Sequence, residues 1–178
     1  MTEKEKKGIR ARTRASEAAY LGMMLAFALI LGYAESLIPL VFAVPGMKLG
    51  LPNLAVLLLL FRSGPKEAFL VNVLRIMLSG FLFGSLSSIL YSLAGGVLSF
   101  SVMLLGKKTG RFGVCGISIA GGVMHNVGQL AIAAVVVESG GLFYYLPPLL
   151  AAGAVTGLLN GIVAEQIQKR VQGHLPEK

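Results

Sequence analysis

Long apolar runs separated by short basic turns make up most of this chain. Several runs approach or exceed 18 residues, the length expected of a helix that crosses a membrane, and 55% of the 178 residues are hydrophobic. The pattern predicts an all-α integral membrane protein with six transmembrane helices, at about residues 15–38, 51–61, 67–83, 85–105, 112–137 and 142–168. These spans form one predicted domain, residues 15–170, between a basic tail at 1–14 and a second tail at 171–178.

The positions of the basic residues predict the orientation of these spans. The net charge is +8, and most of the 16 Lys and Arg residues lie in the N-terminal tail, in the turns after the second and fourth spans, or near the C-terminus. Because cytoplasmic loops of multi-pass proteins collect Lys and Arg, both termini are predicted to be cytoplasmic. We therefore expect a bacterial cytoplasmic membrane protein whose basic tail contacts anionic lipid, and no binding of nucleic acid.

The second span is too short to cross a bilayer alone. Leu51 to Phe61 is followed by Arg62, and eleven helical residues rise about 16 Å against a hydrocarbon core of roughly 30 Å. The preceding stretch, Val44–Asn53, contains two prolines, two glycines and Lys48. Two interpretations follow. Either this stretch enters the bilayer and presents a helix N-terminus to an anionic group beside Lys48, or it is an ordinary outer turn before a tilted helix.

Arg75 is the sharpest candidate for a functional residue. It lies near the middle of the third span, where an arginine costs at least about 2.5–3.5 kcal/mol on insertion scales. A partner or a wet cavity is therefore expected. Asn72 and Ser79 share its helical face, which favours contact with a ligand; an ion pair with Glu35 and snorkelling to the surface are the alternatives.

His125, Asn126 and Gln129 form a second polar face in the fifth span. A buried, hydrogen-bonded histidine is the simpler explanation, and contact with a ligand is the functional one. No metal site is expected, because no second His or Cys lies at ligand spacing. The candidate ligand-binding residues are Glu35, Lys48, Asn53, Asn72, Arg75, His125, Asn126 and Gln129. Thr156 and Asn160 are expected to bridge helices.

Small residues recur at every fourth position in the first span, at Ala18, Gly22 and Ala26. This spacing lets another helix approach closely, so it predicts either internal packing or the docking of a partner.

The segment Pro45–Asn53, followed by Gly64-Pro65, resembles the substrate-binding S components of energy-coupling factor (ECF) importers. It is most similar to the branch called the Gx transporter family, whose members also carry the description heptaprenyl diphosphate synthase component I. The resemblance implies an outward-opening cavity that is capped by the loop between spans one and two. It also implies docking through Ala18, Gly22 and Ala26 onto a transmembrane coupling protein that two cytoplasmic ATPases drive.

The composition argues against catalysis by this chain alone. Prenyl chain elongation needs Mg²⁺ held by aspartate-rich motifs, and the sequence contains no aspartate. It also lacks a P-loop, so no catalytic residue and no cofactor are expected. The sequence therefore predicts an S-component-like subunit that binds a small molecule. The alternative is a non-catalytic subunit that handles an isoprenoid, quinone or flavin in prenyl diphosphate or menaquinone synthesis, or in flavin-based extracellular electron transfer.

Overall fold

The computed structural model describes residues 3–37 and 50–172, and within these ranges it is helical with no strand. The helices are α1 (Glu3–Ser36), α2 (Asn53–Arg62), α3 (Pro65–Phe83), α4 (Leu86–Thr109), α5 (Val114–Val136) and α6 (Leu146–Gln172), with a 3₁₀ helix at Gly140–Tyr145 before α6. Each predicted apolar segment is thus helical. Helix α1 begins at Glu3, well before the predicted start of the first span, so the described part of the basic tail continues the helix.

Four segments are long and apolar enough to cross a membrane: Arg14–Ser36, Leu86–Thr109, Val114–Val136 and Gly140–Val171. Their large apolar side chains remain extensively exposed, for example Ile30 at 65% and Val135 at 72%. An apolar surface of this extent is typical of a protein whose solvent is lipid. The fold is therefore all-helical and consistent with a multi-pass membrane protein.

Helix α2, the shortest α-helix, lies at the centre of the bundle. Every residue from Asn53 to Leu60 is buried, and α2 contacts α1, α3, α4 and α6. Its sequence is apolar on all sides, which is the pattern of a helix surrounded by protein. At its C-terminal end, Lys107 of α4 donates a hydrogen bond to Leu60 O at 2.5 Å. That bond satisfies one of the carbonyl groups that a helix end leaves unpaired.

Glycines bring α5 close to both of its neighbours. A Cβ atom at Gly122 would lie 2.3 Å from Gly153 O of α6, and one at Gly128 would lie 2.8 Å from Ala94 O of α4. Side chains at these positions would clash with backbone, so glycine is required for the observed packing. Close backbone approach of this kind is typical of packed helices in membranes.

Candidate functional site

The segment Gly50–Asn53, here called the entry segment, leads into α2 and is bonded to two other helices. Glu35 Oε1 of α1 accepts hydrogen bonds from Gly50 N at 2.5 Å and from Leu51 N at 3.4 Å. Asn160 of α6 donates to Gly50 O at 3.2 Å. Glu35 is 3% exposed and Asn160 is 7% exposed. Side chains of α1 and α6 thus meet at one buried glycine.

Gly50 also lies against α5. Its φ angle is +94°, a conformation that favours glycine, and a Cβ atom there would lie 3.2 Å from His125 Cδ2 and 3.0 Å from Asn53 Nδ2. The backbone conformation favours glycine at this position, and a Cβ atom there would be packed tightly against two side chains.

Arg75 connects the entry segment to α3 and α4. Its Nη2 donates to Asn53 Oδ1 at 2.7 Å and to Asn72 Oδ1 at 2.8 Å, and its Nε donates to Asn72 Oδ1 at 3.2 Å. Asn72 in turn donates to Gly96 O of α4 at 3.1 Å. Arg75 is 4% exposed, so this guanidinium is buried and held by amide oxygens. These bonds do not form the direct ion pair with Glu35 that was one alternative.

His125 and Gln129 lie one turn apart on α5 and are bonded to each other, with 2.9 Å between the two Nε2 atoms. Both side chains are essentially inaccessible, at 1% and 0% exposed. The ring packs closely on α4, because a Cβ atom at Gly95 would lie 3.1 Å from His125 Nδ1. Asn126, on the same helix, donates to Leu149 O of α6 at 2.7 Å.

The structure therefore gathers polar side chains from five of the six α-helices, α1, α2, α3, α5 and α6, around the entry segment. This polar cluster consists of Glu35, Gly50, Asn53, Asn72, Arg75, His125, Gln129 and Asn160. Six of the predicted ligand-binding residues belong to it, and Asn126 faces α6 beside it. Lys48 lies outside the described residues. Sequence reasoning did not place Gly50 or Asn160 in the site. The signal for Gly50 was its position in the glycine- and proline-rich stretch, and the predicted bridging role of Asn160 agrees with its bond to Gly50.

Several buried polar atoms on helices α2 to α5 have no hydrogen-bond partner within the described part of the chain. They include Asn53 Nδ2, Ser79 Oγ, Ser92 Oγ and Asn126 Oδ1. Arg75 Nη1 likewise donates to none of the described residues, because the three bonds of the guanidinium use Nε and Nη2. Buried polar groups are normally satisfied by protein, water or ligand. Asn53 Nδ2 and Arg75 Nη1 can each donate a further hydrogen bond. The described residues contain no group of three His, Cys, Asp or Glu side chains placed to hold a metal ion.

The predicted docking residues lie elsewhere. Ala18, Gly22 and Ala26 are exposed on α1, and a Cβ atom at Gly22 would meet nothing within 4 Å. Nearby, a groove of about 260 Å³ lies between α1 and the α2–α3 turn, lined by Glu17, Tyr20, Leu21, Ser63 and Glu67. The exposed face of α1 is thus open to a neighbour, whether lipid or protein.

Residues 24–167 match the family described as heptaprenyl diphosphate synthase component I. The chain belongs to this family. The match begins within α1 and ends within α6, so it contains the whole polar cluster and Ala26, whereas Ala18 and Gly22 precede it. No curated protein and no solved structure matches the chain.

Membership of the heptaprenyl diphosphate synthase component I family relates the chain by name to a prenyl diphosphate synthase. The polar cluster itself contains amides, one imidazole, one guanidinium and one carboxylate. Such a set can position a polar head group by hydrogen bonds. A carboxylate-rich set, which holds Mg²⁺ on a diphosphate, is not present among the described residues.

Proposed function

We propose that this protein is a membrane-embedded binding subunit of the S-component type, which holds a small molecule at the polar cluster. The observation that carries the proposal is the buried Arg75, whose guanidinium is held by Asn53 and Asn72 while its Nη1 donates to no described residue. A buried arginine inside a membrane domain is costly and usually functional. Its open donor would be satisfied by an acceptor oxygen on a ligand.

The remaining groups of the cluster would orient that ligand. Asn53, Asn72 and Gln129 have amide groups with fixed positions, because each is bonded within the bundle. Fixed donors and acceptors recognise a head group with little loss of side-chain entropy. Asn126 would complete the contacts. Glu35 would hold the entry segment in position rather than touch the ligand.

Transport would require partners, as in the ECF importers that the sequence resembles. The chain has no P-loop, so energy would come from cytoplasmic ATPases through a transmembrane coupling protein. We propose that the exposed face of α1 with Ala18, Gly22 and Ala26 is the surface that docks onto this coupling protein. Six spans with both termini in the cytoplasm are part of the same proposal.

The family description favours a second candidate function. A component of a heptaprenyl diphosphate synthase would handle an isoprenoid in the membrane without carrying out the chemistry. The lack of aspartate supports a non-catalytic role for this chain. The two functions differ in the bound molecule, which is water-soluble in the first case and an isoprenoid, quinone or flavin in the second.

The test is to identify the molecules that the purified protein releases on denaturation, by mass spectrometry. Wild-type protein is compared with Arg75→Gln, and Arg111→Gln, an exposed arginine in the α4–α5 turn, is the matched control. We expect a bound compound in the wild type and the control, and its loss from Arg75→Gln with a smaller change in melting temperature. The proposal would be contradicted if all three proteins retained the compound equally. It would also be contradicted if Arg75→Gln unfolded but its folded fraction still held the compound.

A further inference from the structure

The charges buried in the described part of the bundle balance each other. Glu35 and Arg75 are the buried charged side chains there, at 3% and 4% exposed, and the other buried polar residues are neutral when His125 is neutral. Both charges are bonded to the entry segment: Glu35 through Gly50 N and Leu51 N, and Arg75 through Asn53 Oδ1. Among the described residues, the buried charges around the entry segment therefore cancel.

The backbone N–H groups at the start of α2, which would attract an anion, are already hydrogen-bonded to a carboxylate of the protein. Backbone N–H groups ahead of a helix N-terminus bind carboxylates and phosphates, because their dipoles point at the bound group. At the start of α2, the amides of Gly50 and Leu51 donate to Glu35 Oε1. The protein's own carboxylate thus occupies the place that a phosphate or carboxylate head group would need.

Two hydrogen-bond donors remain that can bind a neutral acceptor. Arg75 Nη1 donates to no described residue, and Asn53 Nδ2 is buried without a partner there. The two groups belong to one hydrogen-bonded pair, since Asn53 Oδ1 accepts from Arg75 Nη2 at 2.7 Å. Both can donate to a carbonyl oxygen, and neither requires a charged partner.

We propose that the head group bound at Arg75 and Asn53 is uncharged and presents carbonyl oxygens, and that Glu35 determines this specificity by excluding anionic head groups. The inference rests on the proposed function, because it names the ligand class of the same site. A cyclic dione or an amide fits this chemistry. A diphosphate does not, because its two or more negative charges would enter a buried site in which the charges of the described residues already cancel, and uncompensated buried charge is strongly unfavourable.

The first experiment measures the charge of the natural ligand. Compounds released from wild-type protein are separated on an anion exchanger at pH 7 before mass spectrometry. We expect a carbonyl-bearing compound that the exchanger does not retain and that Arg75→Gln protein lacks. A phosphate- or carboxylate-bearing compound that is present in the wild type and lost from Arg75→Gln would overturn this inference and leave the proposed function standing.

The second experiment tests Glu35 with two matched probes and inorganic diphosphate, by isothermal titration calorimetry on the full chain in detergent. The neutral probe is 2-methyl-1,4-naphthoquinone, and the anionic probe is 1,4-naphthoquinone-2-sulfonate. Wild-type protein should prefer the neutral ring. Glu35→Gln keeps a side-chain oxygen for Gly50 and Leu51 but removes the charge, so affinity for the sulfonate should rise about tenfold or more. Glu165→Gln, on the surface beside Lys169, should change neither affinity.

The outcomes distinguish a failure of the specificity assigned to Glu35 from a failure of the proposed function. Tight binding of the sulfonate or of diphosphate to wild-type protein, unchanged in Glu35→Gln, would overturn the specificity of Glu35 while the site remained. A wild-type protein that releases no compound and binds none of the three probes would contradict the proposed function together with this inference.

Discussion

Gly50 is a single residue on which several contacts depend. Its N–H donates to Glu35, its carbonyl accepts from Asn160, and its Cα faces His125. Its φ of +94° is in the region that L residues rarely adopt. One residue thus joins α1, α5 and α6 to the start of α2.

We predict that Gly50→Ala lowers the stability of the fold by about 1–3 kcal/mol through backbone strain, and by more through contact of the new methyl group with Asn53 and His125. The matched control is Gly110→Ala. Gly110 also has a positive φ, of 64°, but a Cβ atom there meets nothing within 4 Å. Thermal unfolding in detergent should show a larger decrease for Gly50→Ala. Equal decreases in melting temperature would mean that the contacts around Gly50 add nothing to the destabilisation caused by backbone strain.

The sequence could predict those contacts of the polar cluster that arise within one helix. Asn72 and Arg75 are three residues apart on α3, and the structure bonds them directly, as their spacing requires. For contacts between helices, the sequence could name candidate residues but not the pairs that they form. The bond from Glu35 to Gly50 depends on how α1 packs beside α2, and no local periodicity contains that information.

At the scale of a helix, α2 illustrates what composition can and cannot predict. The apolar run Leu51–Phe61 predicted a short helix, and the structure has one at Asn53–Arg62. Its burial on all sides was not predicted, because a uniformly apolar helix has no polar face to indicate its neighbours. The apolar surface of α2 could be covered equally well by lipid or by protein. Only the packing of the other helices decides between the two.

Helix α1 supports a prediction about partners. Gly22 has open space around its Cβ position, so a larger side chain is compatible with the fold of this chain. If the face with Ala18, Gly22 and Ala26 docks onto a coupling protein, Gly22→Leu should abolish co-purification of that protein and its ATPases, with an unchanged melting temperature. The control is Gly140→Leu, which also points into open space but lies in the 3₁₀ helix before α6. Undiminished co-purification with Gly22→Leu would remove the docking role from this face.

At the scale of the whole molecule, the basic turns meet at one end of the bundle. Arg62, after α2, lies 5.8 Å from the ring centroid of Tyr20 on α1, and Lys107, near the end of α4, lies 5.1 Å from the ring centroid of Phe61. The charge pattern of the sequence predicted that these turns share one side of the membrane. These two contacts place Arg62 beside α1 and Lys107 beside the C-terminal end of α2.

The position of the α2–α3 turn relative to the membrane decides whether the chain has six spans or fewer. A hairpin that enters from outside and returns would leave Arg62 and Lys66 at its tip inside the hydrocarbon, which is strongly unfavourable. Because Arg62 packs on Tyr20 near the basic end of α1, we predict that the tip reaches the cytoplasm. The test uses Ser63→Cys, at an exposed position in this turn, in a Cys115→Ser background that removes the one native thiol.

A membrane-impermeant maleimide should label Ser63→Cys only after the cells are permeabilised. Ser36→Cys, at the exposed far end of α1, is the matched control and should be labelled in intact cells. Labelling of Ser63→Cys from outside would reverse the predicted orientation of α2 and α3. If it were labelled neither before nor after permeabilisation, while Ser36→Cys reacted, the tip would lie within the bilayer, and α2 and α3 would form a re-entrant hairpin. Labelling only after permeabilisation would mean that α2, although shorter than the bilayer, completes a crossing together with the residues that precede it.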